Sequence, residues 1–535
     1  MNEPRDPSTV NLVRGSLLLA EAVELHAQGK RDAASAKVAE HLRQYRDDPR
    51  GLALLGKFAL DEGAFGQAEH FLGRAIALGN TTFEAKRDLV SALLYQEILD
   101  EALDAITALN AVNDDAQLTS TRASILDRLG RHDEAIIAYE SLISRKDSNS
   151  RHRILYGHSL RFAGRIDDAT AVYRQVVEED PERGEAWWAL VDIKTNSLTD
   201  EDMERMKEAL GYAIDPLNIV PLHKALARSL HDRGRYKEAW EHYAAGNRIR
   251  AEATRYDPQE LTQDVDQFIA LTERFPFPPP APAPQGSGPT PIFLVSLPRS
   301  GSTLLEQILD QHPQIEARGE LPYMRAMMRQ AMELHIGRGV LTVPQLLQAM
   351  SPQERGALGS EYLRRAAIHR QEDGRYFIDK MPSNWSDILF IRSILPHARF
   401  IAIRRNALDC CLSNHFHHFG PAYAASYDLV TQGRAYVDFV RLVDHLKAKS
   451  PDAIATVRYE DLVEDPEPNL RDILAHLELE WDESLLEFHK KRRNIRTPSA
   501  EQVRQPLNRK GMGTWKPYDA WLGPLRATLG QLAED

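Results

Sequence analysis

The sequence predicts a helical-repeat array followed by an α/β domain with a central parallel sheet. Three observations predict it. Ala34, Ala68, Ala102, Ala135 and Ala169 recur at steps of 34, 34, 33 and 34 residues. A proline-rich stretch beginning at Phe275 ends all helical periodicity. Beyond it, Leu297-Pro298-Arg299-Ser300-Gly301-Ser302-Thr303-Leu304 stands between the apolar run Ile292 to Val295 and a helical pattern. At 535 residues the chain is too long for one hydrophobic core.

The recurring alanines mark close helix crossings. Gly29 and Gly63, then Gly130 and Gly164, keep the same phase and mark the turns within helix pairs. This period is that of tetratricopeptide (TPR) repeats, whose helix pairs cannot bury their apolar faces alone and gain a core by stacking. Glu185 to Pro216 reads as a stretched repeat, and Gly234 with Ala239 restores the motif, so about seven hairpins are expected between Gly15 and Thr254. The predicted organisation is a tail over 1–14, repeats over 15–274, a semi-extended linker over 275–290 and an α/β domain over 291–535.

Charge divides at the linker. Residues 276–535 hold 31 Lys+Arg against 31 Asp+Glu, so the whole net charge of −12 lies in the repeats. An acidic solenoid disfavours a nucleic-acid partner; it is either a solvated surface or a docking face for basic segments. Cys410 and Cys411 are adjacent and cannot form a disulfide framework. No secretory pattern opens the chain and no apolar run reaches membrane-spanning length, so a cytoplasmic protein is expected.

A strand, a small-residue turn and a helix start make an anion cradle. Successive backbone N–H groups carry partial positive charge, Gly301 permits close approach, and Arg299, Ser302 and Thr303 supply donors. The lysine of a nucleotide-hydrolase loop is missing, which disfavours ATP or GTP. Three further segments read as strands ending in polar residues: Phe377 to Met381 with Lys380, Arg399 to Arg405, and Ala455 to Glu460. Ser413 follows Arg405 by eight positions, a spacing that lets strand end and helix share one phosphate, although a surface arginine and an ordinary helix serine would read the same way. His415, His417 and His418 lack spacing that converges on a metal, and none is expected. Phe416 and Phe419 beside them fit the wall of an acceptor cleft or simple core.

Together these segments resemble the sulfotransferases that use 3'-phosphoadenosine 5'-phosphosulfate (PAPS), and the half from Pro291 to Pro524 resembles the tyrosylprotein sulfotransferases. Gly319-Glu320, Asp379-Lys380-Met381-Pro382, Tyr459 to Val463 and Ser499 to Asn508 extend the likeness. The resemblance implies a P-loop-like sulfotransferase fold. It makes Glu320, which stands 21 residues after Arg299, the catalytic base, and Lys380, Ser499 and Arg299 the groups that stabilise the transition state. It assigns the 5'-phosphosulfate to Arg299, Ser300, Gly301, Ser302 and Thr303, the 3'-phosphate to Arg405 and Ser413, and the adenine side to Tyr459. Lys510 matches an extra 3'-phosphate ligand of cytosolic sulfotransferases. The chain departs from the tyrosylprotein pattern at Thr514 and His417, where lysine and arginine are usual, and places only Arg325 soon after the base.

The expected activity is transfer of a sulfuryl group from PAPS to a hydroxyl, foremost a tyrosine of a peptide or protein held with help from the TPR groove. A carbohydrate, lipid or small metabolite is the alternative acceptor. The non-catalytic alternative is a TPR scaffold whose second half binds an adenine nucleotide.

Overall fold

The computed structural model describes residues 16–113, 115–145, 148–193, 198–274, 277–278, 281, 288–370, 374–490 and 507–534. Among these the repeat region forms seven helical hairpins. They pair Leu17–Ala27 with Arg31–Gln44, Pro49–Asp61 with Phe65–Ala77, Phe83–Tyr95 with Leu99–Val112, and Ala116–Arg128 with His132–Ile143. Ser150–Phe162 with Ile166–Glu179, Gly184–Asp192 with Asp200–Tyr212, and Pro216–Asp232 with Tyr236–Thr254 complete the set. All five periodic alanines are fully buried, as helices crossing at close range require.

Gly29, Gly63, Gly130 and Gly164 adopt φ between 75° and 84°, the left-handed conformation that ends the first helix of a pair. The same position in the third pair is Glu97, at φ 61°. There a side chain tolerates the turn while its carboxylate pairs with the Arg128 guanidinium.

The chain divides into two compact units: Met1–Asp147 with Arg325–Ala349, and Ser148–Met324 with Met350–Asp535. In the first, Glu333 caps the helix Phe65–Ala77: its carboxylate accepts from the Gly66 and Gln67 amides at 3.2 and 2.9 Å. Arg329 lies over the Phe65 ring, which stacks on Tyr95. Segment 325–349 is thus held by the opening repeats.

In the second unit the helix Pro258–Arg274 packs on Leu429–Lys449. Five parallel strands follow, β1 Thr290–Val295, β2 Ile315–Ala317, β3 Tyr376–Asp379, β4 Arg399–Arg404 and β5 Ala455–Arg458, in the order β2-β3-β1-β4-β5. Every residue of β1 is buried, as a central strand covered on both faces should be. From β1 the chain fills one side of the sheet and then the other, so the loop after β1 sits where the connection reverses, the usual ligand site of open parallel sheets.

One detail differs from the sequence reading. The third polar-ended strand stops at Arg458, opposite the last residue of β4, and Tyr459 opens the short helix Tyr459–Glu464 because no neighbouring backbone remains to pair with. Within the proline-rich stretch, Phe277 is buried against Phe400 and Arg392, and the Ala281 amide donates to the Pro396 carbonyl at 2.8 Å.

Enlarging a crossing alanine should overpack the repeats. Ala102→Leu is expected to cost about 1–3 kcal/mol in thermal or urea unfolding, while Ala111→Leu, on an exposed position of the same helix, stays within about 0.5 kcal/mol of the parent.

Candidate functional site

The C-terminal ends of β1, β3, β4 and β5 bring the polar residues of the second unit together. After β1 the backbone turns through Arg299 at φ 64° and Gly301 at φ 92° before the helix Ser302–Leu309 begins. A left-handed arginine is costly, about 1–3 kcal/mol, and persists where its surroundings demand it. Gly301 is required for space as well: a Cβ there would lie 2.4 Å from Tyr459 Cδ2.

One helix, Ala407–Phe416, supports this loop from beneath. Asn414 Nδ2 donates to the Pro298 carbonyl at 3.0 Å, Ser300 Oγ lies 3.3 Å from Cys410 Sγ, and Arg299 Nε donates to Ser413 Oγ at 3.3 Å. Arg405, one residue past β4, donates from Nη1 to the Arg299 carbonyl at 2.9 Å and from Nη2 to the Gly511 carbonyl. Its Nε is buried with no partner among the described residues, a donor that a phosphate oxygen could take. The two cradles expected from sequence are therefore one connected network. Burial pulls Arg299 down to about 10, with Asp192 opposing and Arg405 and Arg228 adding to the shift. It is still a cation at neutral pH, and an arriving anion would be worth more to it than to a solvated arginine.

Glu320 and Lys380 meet because of strand register. Ala317 pairs with Ile378, and the pairing continues as Arg318 N donates to the Ile378 carbonyl and Lys380 N to the Gly319 carbonyl. Buried Glu306 accepts from the Gly319 amide at 2.8 Å and fixes the turn. Lys380 Nζ then donates to Glu320 Oε1 at 2.6 Å; the lysine is 1 % exposed and the glutamate side chain 41 %. A desolvated ammonium is thus presented beside a solvent-facing carboxylate. Beneath them Asp379 is fully buried, accepts from the Tyr362 hydroxyl at 2.7 Å and is pushed up to about 7 by burial.

The remaining expected residues fall in different places. Ser302 and Thr303 are buried in the first turn of their helix. The Tyr459 ring is sandwiched between Gly301 and Gly511 and lies 5.3 Å from the Arg405 guanidinium. Lys510 is exposed on the short 3-10 turn Arg509–Gly511. Ser499 lies outside the described residues. Phe416 is half-buried and stacks on Tyr243 at 4.0 Å, while His417 and His418 face Trp188 edge-on. Burial pulls His415 and His417 down to about 3. Among the described residues no group of three or more metal-ligating side chains converges. Cys410 and Cys411 are free and buried.

Sequence reading missed Asp409. This buried carboxylate, in the first turn of the Ala407–Phe416 helix, accepts from the Gly513 amide at 2.7 Å, the Thr514 hydroxyl at 2.7 Å and the Trp515 amide at 3.2 Å. It ties the C-terminal loop beside the Arg405 network. A first-turn aspartate normally reads as a helix-dipole residue, and its partners lie about a hundred positions away, so only the apolar residues around it could have hinted at burial.

The strand ends of the parallel-sheet domain thus gather arginine, serine, lysine and glutamate around a glycine turn, an arrangement whose chemistry suits an anion. The chain contains tetratricopeptide repeats, matched over residues 87–150 and 156–193, and its C-terminal region carries a sulfotransferase-family domain, matched over residues 291–483. An uncharacterized protein of Aquifex aeolicus (strain VF5) is 27% identical over 381 residues, covering 69% of this chain and 48% of its own length. The chain thus spans about half of that relative. Protein-tyrosine sulfotransferase 1 of Danio rerio is 25% identical over 260 residues, 45% of this chain and 71% of that protein. Among solved structures, the sulfotransferase domain of the Synechococcus PCC 7002 olefin synthase is 24% identical with a TM-score of 0.34, over 47% of this chain and 96% of that one.

Two outcomes follow from the geometry. Gly301→Ala meets both a left-handed backbone and the Tyr459 ring, and is expected to lower stability by roughly 2 kcal/mol in urea unfolding. Asp379 has a folded value raised above its ordinary 3.8, so the protonated form favours the fold. Its contribution is complete below about pH 4 and fades as pH rises toward 7, by up to about 1.4 kcal/mol per pH unit. Asp379→Asn should remove that slope from urea-unfolding stability measured between pH 4 and 7.

Proposed function

We propose that the chain transfers a sulfuryl group from PAPS to a hydroxyl acceptor, foremost a tyrosine of a peptide or protein held with help from the repeats. The observation that carries this reading is the Glu320–Lys380 pair, a carboxylate and a buried ammonium 2.6 Å apart at the end of β3. In the same unit, the end of β1 carries the Arg299, Ser413 and Arg405 network. The proposal keeps the division into a tail over 1–14, repeats over 15–274, a linker over 275–290 and a transferase domain over 291–535, and a cytoplasmic setting, which suits two free thiols.

In this reading Arg299 to Thr303 hold the 5'-phosphosulfate, and Arg405, Ser413 and Lys510 hold the 3'-phosphate. Tyr459 packs against the loop and orients it on the adenine side. PAPS supplies a sulfuryl group whose S–O bond to phosphate is already activated. Glu320 takes the proton of the acceptor hydroxyl as its oxygen bonds to sulfur. The S–O bond to the nucleotide breaks, and the negative charge gathering on the departing phosphate oxygen is met by Lys380, Arg299 and Ser499. These cations act most strongly where water is excluded, which suits a lysine 1 % exposed.

The test is transfer of labelled sulfate from PAPS to an array of tyrosyl peptides, glycans and lipids. Glu320→Gln and Lys380→Ala are expected to lose about 10²–10⁴-fold in kcat while still binding adenosine 3',5'-bisphosphate, and Arg405→Ala to lose the nucleotide itself. Transfer surviving both Glu320→Gln and Lys380→Ala would defeat the mechanism. Label appearing only on glycans or lipids would replace the tyrosyl acceptor, and nucleotide binding without any transfer would favour a scaffold.

A further inference from the structure

The helix Ala407–Phe416 carries Ser413 and Asn414, which touch Arg299 and Pro298 of the phosphate loop. Its N-terminal end is held from within the sheet domain: Glu460 accepts from the Asn406 amide at 2.9 Å and Asp409 binds residues 513–515. Its C-terminal end is held by the repeats. The carbonyl of His415, one of the last-turn groups that a helix cannot satisfy internally, accepts from Lys224 Nζ at 2.6 Å and from Asn247 Nδ2 at 2.9 Å. Asn247 Nδ2 also lies 2.9 Å from His415 Nε2, while His415 Nδ1 faces the Ser426 carbonyl at 3.0 Å, which sets the ring's tautomer.

Lys224 is fully buried and Asn247 is 1 % exposed. The lysine lies 5.7 Å from the Tyr243 ring centre and 5.6 Å from that of Tyr427, and among the described residues no carboxylate pairs with it. A methionine would pack there without the desolvation cost, so stability alone does not explain a lysine at this point. Burial pulls its amine well below the ordinary lysine range, and what the side chain provides is a donor to a carbonyl that the helix bearing Ser413 cannot satisfy internally.

We infer that Lys224 and Asn247 are positioning residues for the donor: by holding the last turn of the Ala407–Phe416 helix, the repeats set Ser413 and Asn414 against the phosphate loop. The inference rests on the proposed donor site. It makes the seventh hairpin part of that site rather than only a platform for an acceptor.

The test uses full-length Lys224→Met and Asn247→Leu, with amide exchange over residues 411–416, thermal unfolding, calorimetry with adenosine 3',5'-bisphosphate, and the donor KM read against kcat. The expected result is faster exchange in that turn and nucleotide affinity weakened by about tenfold or more, with donor KM rising more than kcat falls. The unfolding temperature of Lys224→Met is expected to hold or rise, because a buried polar group that desolvation penalises has been replaced by an apolar one. Unchanged exchange, or affinity within twofold of the parent in both variants, would overturn the inference; if Lys224→Met does not fold, Asn247→Leu alone decides. A parent protein that binds no nucleotide would defeat the proposed function, and the exchange measurement would still decide whether the two side chains hold the helix.

Discussion

The Lys380–Glu320 pair sets a carboxylate against a buried lysine at the end of the sheet, where removing either partner would leave the other uncompensated. The pair exists only because β2 lies parallel to β3 in a register that carries Gly319 opposite Lys380. A slip of one residue would turn the carboxylate to the other face and leave the lysine desolvated without a counter-charge. The turn that delivers Glu320 is fixed in the same way: Glu306, on the helix that follows the phosphate loop, binds the Gly319 amide. Loop, helix, turn and lysine are therefore one mechanical unit.

Around that unit, strain and support are matched. The left-handed backbone at Arg299 and Gly301 is seated on Tyr459, and its carbonyls and side chains are held by Arg405, Asn414 and Ser413. A loop pre-arranged in this manner spends less ordering entropy when an anion arrives. Cys410, beneath Ser300, is packing for the loop rather than a reactive thiol, since burial raises it to about 11.

How much of this was legible in the sequence depended on range. The alanine period exposed the repeats because each alanine answers a local demand, a helix crossing one turn from its neighbours, and all five are buried as expected. The strands showed as apolar runs, and Arg299, Lys380 and Arg405 stand out because strand ends and glycine turns are local signals, whereas Glu320 and Ser413 gain their candidate roles from the resemblance to sulfotransferases. For Tyr459 the apolar pattern of its predecessors predicts a strand position, whereas pairing with β4 ends one residue sooner, at Arg458. Asp409, Lys224 and Asn247 were invisible for a different reason. Their roles are defined by partners roughly 100 to 190 positions away, and residue type alone reads them as a dipole residue and two polar surface residues.

Segment 325–349 gives the first unit an unusual birth order. The Gly66 and Gln67 amides are capped by Glu333, yet about 200 residues separate the end of the opening repeats from the end of that segment. At a synthesis rate of about 5–20 residues per second, the nascent repeats wait on the order of 10–40 s before this piece emerges. Until then, water must satisfy the start of the helix Phe65–Ala77, and the opening repeats leave the ribosome as an unfinished solenoid that ripens only when later chain returns to it.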